Sequence, residues 1–116
     1  TIDYWDTIAD GLSAVRPGVF PFLHLQRYLD DIVLIGEENI ANSFCILRDR
    51  AKIVGEPAGV VATAAFLADK VDTSLATVAV VTGGNVTTET TQLLTEMADQ
   101  WSSCGEHPED ECKEDY

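Results

Sequence analysis

Three short stretches carry residue types suited to chemistry rather than packing alone. The most telling is Val78-Ala79-Val80-Val81-Thr82-Gly83-Gly84-Asn85-Val86. A β-branched apolar run ending in a hydroxyl, two glycines and an amide reads as a buried strand that delivers polar groups to the carboxyl edge of a sheet. Ligands of open α/β sheets bind at that edge. Two glycines let the backbone approach a flat ligand closely. Taken alone, the stretch also reads as an ordinary strand-to-helix turn. The second stretch is Lys52-Ile53-Val54-Gly55-Glu56-Pro57-Ala58-Gly59. Glu56 stands at the head of the most apolar segment of the chain, so its carboxylate serves either as a helix cap or as a site group. The third is Thr7-Ile8-Ala9-Asp10-Gly11, whose Asp-Gly pair on its own is a common turn signal.

The elements that would position these groups follow from periodicity. Residues 19–30 predict a helix, with Phe22, Leu25 and Leu29 on one face and Pro21 tolerated in the first turn. Ile32-Val33-Leu34-Ile35 predicts a short buried strand. Glu37 and Glu38 then open a helix, where the dipole favours negative charge; Ile40, Phe44, Leu47 and Ala51 mark its apolar face, and Arg48, Arg50 and Lys52 gather at its far end. Residues 57–69 predict a helix opened by Pro57 and apolar nearly all round, a pattern that implies burial on several sides. Thr77 to Val81 predicts a second strand, and residues 87–101 a final helix capped by Thr87 or Thr88, with Leu93, Met97 and Trp101 on one stripe. From Ser102 the chain is acidic and unpatterned. The order is helix, strand, helix, helix, strand, helix. It predicts an α/β fold with a doubly wound parallel sheet. Two strands are too few for such a sheet to stand alone, so the pattern reads as one edge of a larger domain.

Composition narrows the function classes. The 116 residues carry 20 acids against seven bases, a net charge of −13, and are 46% hydrophobic. Such a chain packs, and it does not seek nucleic acid or anionic membranes. The last eleven residues hold six acids and one lysine, yet the body is acidic too, as in a salt-adapted or an ordinary acidic cytoplasmic protein. No apolar run approaches the roughly 20 residues of a membrane span, and no signal peptide is read. The chain opens at Thr1 without an initiator methionine, which fits a processed or partial chain. Three cysteines, Cys45, Cys104 and Cys112, argue against a disulfide framework and for a reducing compartment. Cys104, His107 and Cys112 fit no zinc spacing, and no metal ligands are assigned.

Order, spacing and wording together are more specific than any one stretch. Thr7 to Gly11, then Asp30-Asp31-Ile32 with Glu37-Glu38, then Lys52 to Gly59, then Thr82 to Asn85 resemble the C-terminal part of the fold-type II pyridoxal-phosphate enzymes, above all the threonine dehydratases and serine racemases. The resemblance covers about residues 7–86. It implies a tryptophan-synthase-β-like fold in which residues 1–103 are the C-terminal portion of the large cofactor-binding domain and residues 104–116 a disordered acidic tail. It also implies roles. Thr82 stands where the family's serine hydroxyl meets the pyridine nitrogen. A neutral partner there leaves the ring unprotonated and a weaker electron sink, which suits β-elimination. Gly11 stands where backbone packs on one cofactor face, with Asp10 beside the substrate. Glu56 stands near the ring's edge, and Gly83, Gly84 and Asn85 shape the floor. The Schiff-base lysine, the glycine-rich phosphate loop and the asparagine loop of the family lie in segments with no counterpart here; Lys52, Lys70 and Lys113 match none of those roles. The resemblance thus implies part of a threonine or serine ammonia-lyase, with pyridoxal phosphate as cofactor, a small hydroxy amino acid as substrate and a homo-oligomeric complete enzyme in the cytoplasm. This chain alone is expected to be inactive. A non-catalytic remnant, or part of a serine racemase or hydroxyaspartate dehydratase, is the alternative.

Overall fold

The computed structural model describes residues 6–104. Four helices form in chain order: α1 (Val19–Tyr28), α2 (Glu37–Ile46), α3 (Val61–Leu67) and α4 (Thr88–Cys104). Two single 3-10 turns, Asp10–Leu12 and Pro57–Gly59, precede α1 and α3, and α2 runs on into a wider π turn over Leu47–Ala51.

The core sits where α2, α3 and α4 meet. Ile40, Ala41 and Phe44 of α2 pack with Val60, Ala64, Leu94 and Ala98, and Ala9 closes one side. Phe44 and Leu94 are the largest fully buried side chains, each contributing about 1.5–3 kcal/mol of burial. Ser43 is the one buried polar side chain described; its hydroxyl donates to the Val60 carbonyl at 3.3 Å, which ties α2 to the start of α3. Arg48 reaches from the π turn to Thr95 of α4 at 2.8 Å and pairs with Asp49. This pairing holds the Asp49 carboxyl below its usual range.

Helix positions largely follow the periodicity, with four differences. The segment expected as one helix over 57–69 divides: Glu56 to Val60 turn tightly, with Gly59 N–H donating to the Glu56 carbonyl at 2.8 Å, before α3 begins. It ends at Leu67 because Asp69 turns left-handed at φ 51°. The final helix runs three residues beyond 101, through Cys104, with Ser102 bonding back to the Ala98 carbonyl at 2.9 Å. Its buried stripe is Leu94 and Ala98 rather than Leu93, Met97 and Trp101; Leu93 and Trp101 are exposed. Ala98 of α4 and Ala41 of α2 belong to the same buried cluster. Lastly, α1 forms as expected but buries none of its residues.

Among the described residues there is no strand. The two runs read as buried strands pair with no other strand among the described residues, and most of their side chains are exposed, Leu34 at 88% and Val78 at 87%, while Ile35 and Val81 at their ends pack against the core. A strand satisfies its backbone groups only against a neighbouring strand, and these residues offer none. The acidic tail beyond Cys104, with His107 and Cys112, lies outside the described residues, as do residues 1–5 and the Cys104 side chain.

Candidate functional site

Three segments far apart in sequence meet around Glu56. The Asp10–Leu12 turn packs on the Pro57–Gly59 turn. A Cβ on Gly11 would stand 2.9 Å from Ala58 Cβ and 3.5 Å from Glu56 Oε1, so only a bare backbone fits there. On the other side, Thr82 N–H donates to the Gly59 carbonyl at 3.2 Å. The approach is so close that a Cβ on Gly59 would overlap the Thr82 carbonyl oxygen and stand 3.0 Å from the Thr82 hydroxyl. Gly55 lies under Val81, with 2.8 Å between its would-be Cβ and Val81 Cγ1.

Gly83 has φ +67°, a left-handed backbone that L side chains rarely adopt, and a Cβ there would stand 2.5 Å from Glu56 Cγ. The Glu56 side chain therefore lies between Gly11 and Gly83. It occupies the cap position of the Pro57–Gly59 turn yet makes no cap hydrogen bond. The capping role open to it from sequence is not the one it plays. Glu56 is half-buried, while Asp10, Thr82, Gly84 and Asn85 are exposed. Asp10 is held through its carbonyl, which accepts from Ser13 N–H at 3.0 Å and from the Ser13 hydroxyl. Thr82 is fixed through its backbone, leaving its hydroxyl without a hydrogen-bond partner among the described residues.

All seven residues singled out from sequence thus fall on three adjoining loops. Gly84 is the loosest of them, with Val54 O at 3.7 Å from its would-be Cβ. Lys52 points elsewhere: its ammonium donates to the Asp49 carbonyl at 2.7 Å, and its own φ is +59°. Lys70 is exposed beyond α3, and Lys113 lies outside the described residues. The described grooves, of about 480 and 600 Å³, lie along α1 between Arg16 and Ile32 and share no residue with these loops. One contributor was not legible as such. Glu37, read from sequence as a helix-start acid, accepts from the Thr7 hydroxyl at 2.6 Å and from Ile8 N–H at 2.9 Å.

Known proteins are similar to this chain in sequence. The chain is 38% identical over 96 residues to the catabolic L-threonine dehydratase of Escherichia coli K12, a match covering 80% of this chain. It is 40% identical over 91 residues to the L-threonine ammonia-lyase of Geobacter sulfurreducens and 41% over 81 residues to that of Thermotoga maritima, covering 78% and 69% of this chain. The chain belongs to the threonine dehydratase family. Threonine dehydratases use pyridoxal phosphate, the cofactor implied by the sequence resemblance. The matches span 29%, 23% and 20% of the length of those three relatives, in the order given. No protein-family model matches the chain. Among the described residues no helix is long and apolar enough to cross a membrane.

Proposed function

We propose that this chain forms part of the pyridoxal-phosphate site of an ammonia-lyase that acts on threonine or serine, releasing ammonia and a 2-oxo acid. The observation that carries this reading is the convergence on Glu56: Gly11 on one side and Gly83 on the other, with Thr82 fixed through its backbone on Gly59. Bare backbone at Gly11 and Gly83 lets the Glu56 side chain sit closely between them, which suits a carboxylate held at the edge of a flat heteroaromatic ring. The unpartnered Thr82 hydroxyl suits its ring nitrogen. These residues fit the cofactor, which when bound would supply the sink for the electron pair left on the substrate's α-carbon when its proton is removed. Thr82 orients the ring through a neutral hydrogen bond, Glu56 lines its edge, Gly84 and Asn85 form the floor, and Asp10 faces the substrate. The lysine that moves the α-proton is assigned to a part of the enzyme outside this chain.

The same reading covers the fold. The unpaired runs at 32–35 and 77–81 become strands of a doubly wound parallel sheet once neighbouring strands pair with them, and the bare face of α1 is covered in the same assembly, a homo-oligomer. Serine racemase or hydroxyaspartate dehydratase activity would use the same loops.

A chimera tests the proposal. The matching region of the Escherichia coli enzyme is replaced by the matched residues of this chain. The chimera is expected to bind stoichiometric pyridoxal phosphate and to make 2-oxobutanoate from threonine, while this chain alone makes none. A folded chimera without cofactor contradicts the proposal. Racemised serine without 2-oxo acid favours the racemase.

A further inference from the structure

We infer that Glu37 is a positioning residue for the face that Gly11 presents, acting through Thr7 from the first turn of α2. The inference rests on the cofactor reading above. One carboxylate takes two donors: the Thr7 hydroxyl reaches Oε1 at 2.6 Å and Ile8 N–H reaches Oε2 at 2.9 Å. The Thr7 hydroxyl oxygen in turn accepts from Ala9 N–H at 3.1 Å. Ala9 is buried in the core, and its carbonyl accepts from Leu12 N–H at 2.8 Å, closing the turn that carries Asp10 and Gly11. A continuous relay therefore runs from α2 through Thr7 and Ala9 to Gly11, which stands against Ala58 and Glu56.

The helix-start reading does not account for this geometry. A dipole effect needs an acid near the first turn, and Glu38 supplies one too. Only Glu37 spends both carboxylate oxygens on a loop 30 residues earlier in the chain. Charge-assisted bonds of this kind are the stronger sort. They place Gly11 relative to α2, which is itself anchored in the core by Ile40, Ala41 and Phe44.

The test compares Glu37→Gln, which replaces one acceptor by a donor, with Thr7→Val, which removes the relay hydroxyl, and Thr7→Ser, which keeps it. Backbone amide exchange is followed by mass spectrometry in the full 116-residue chain. Glu37→Gln and Thr7→Val are expected to speed exchange over residues 8–12 about tenfold, with residues 40–46 unchanged and Thr7→Ser close to the unsubstituted chain. Unchanged rates over 8–12, an equal rise throughout, or full exchange everywhere in the unsubstituted chain would overturn the inference. A second readout is the dissociation constant for pyridoxal phosphate in the chimera. Glu37→Gln and Thr7→Val should weaken it about tenfold and Thr7→Ser should restore it; equal constants for all variants would overturn the link to the cofactor. A chimera that binds no cofactor before substitution refutes the functional reading and with it that link, while the exchange rates still decide whether Glu37 holds the loop.

Discussion

Replacing Gly59 by alanine should separate the loops that meet at Glu56, whereas the same change at Gly84 should not. At Gly59 the new methyl has nowhere to go: the nearest atoms are the Thr82 carbonyl oxygen, its carbon at 2.6 Å and the hydroxyl at 3.0 Å. Two of these are backbone, so no rotamer change relieves the overlap. The Thr82 segment must move, and the 3.2 Å bond from its N–H to the Gly59 carbonyl goes with it. Overpacking of this kind costs about 1–3 kcal/mol and the lost hydrogen bond about 0.5–1.5 kcal/mol. The lower entropy of an unfolded alanine returns about 0.4–1 kcal/mol. A net loss of about 1–3 kcal/mol follows. At Gly84 the nearest atom is the Val54 carbonyl oxygen at 3.7 Å, an ordinary contact. Gly84→Ala should therefore fall within about 0.5 kcal/mol of the unsubstituted chain. Urea unfolding of both variants in molar KCl, followed by circular dichroism, measures the difference. Equal midpoints for Gly59→Ala and Gly84→Ala would refute the close approach of the second and third segments.

Three further outcomes follow from charge and exposed surface. With a net charge of −13, self-repulsion should be screened as the Debye length falls from about 10 Å at 0.1 M to about 3 Å at 1 M, so the Tm should be higher in molar KCl; an unchanged Tm removes the support for salt adaptation. The outward-facing apolar residues of α1 and of the extended runs should make the isolated chain self-associate, and a sedimentation profile of a compact, cooperatively melting monomer would contradict that. Acid should loosen the chain. Asp72 is held low by the Ser74 N–H and hydroxyl, and Glu89 by its own N–H and the Thr87 hydroxyl, so each contributes stability that is present above its unfolded pKa and lost as pH falls through the lower folded value. Helicity measured from pH 7 down to pH 2 should fall in the acid range, and Glu89→Gln should flatten part of that decline.

How much of this was legible depended on how local each cause is. Helices α2 and α4 were readable because their apolar spacing and their acidic or threonine starts lie within one segment; Thr87 indeed caps α4, accepting from Thr90 N–H at 3.1 Å. The buried stripe of α4 was not readable, because hydropathy favours Leu93 and Trp101 while Leu94 and Ala98 are the residues that join α2 in the core. The break between Pro57 and α3 escaped for a similar reason: its cause is the Thr82 backbone seated on Gly59, 23 positions away. Glu37 looked like a helix-start acid because its partners, Thr7 and Ile8, precede it by about 30 residues. The three segments that meet at Glu56 were readable as a set only through their joint resemblance to one family; singly, each also read as an ordinary turn or helix cap. The two apolar runs read as strand-forming sequence, but a strand is a property of a pair, and no strand occurs among the described residues.

The proposed role of Thr82 as the neutral partner of the cofactor ring is tested most directly by the dissociation constant of pyridoxal phosphate from the chimera. Thr82→Val keeps the shape and deletes the hydroxyl. An unsatisfied ring nitrogen should cost about 1–3 kcal/mol, a weakening of about five- to a hundredfold, with turnover falling alongside. Thr82→Ser should bind within about twofold of the unsubstituted chimera. Equal cofactor affinity and turnover for threonine, serine and valine at this position would contradict the account.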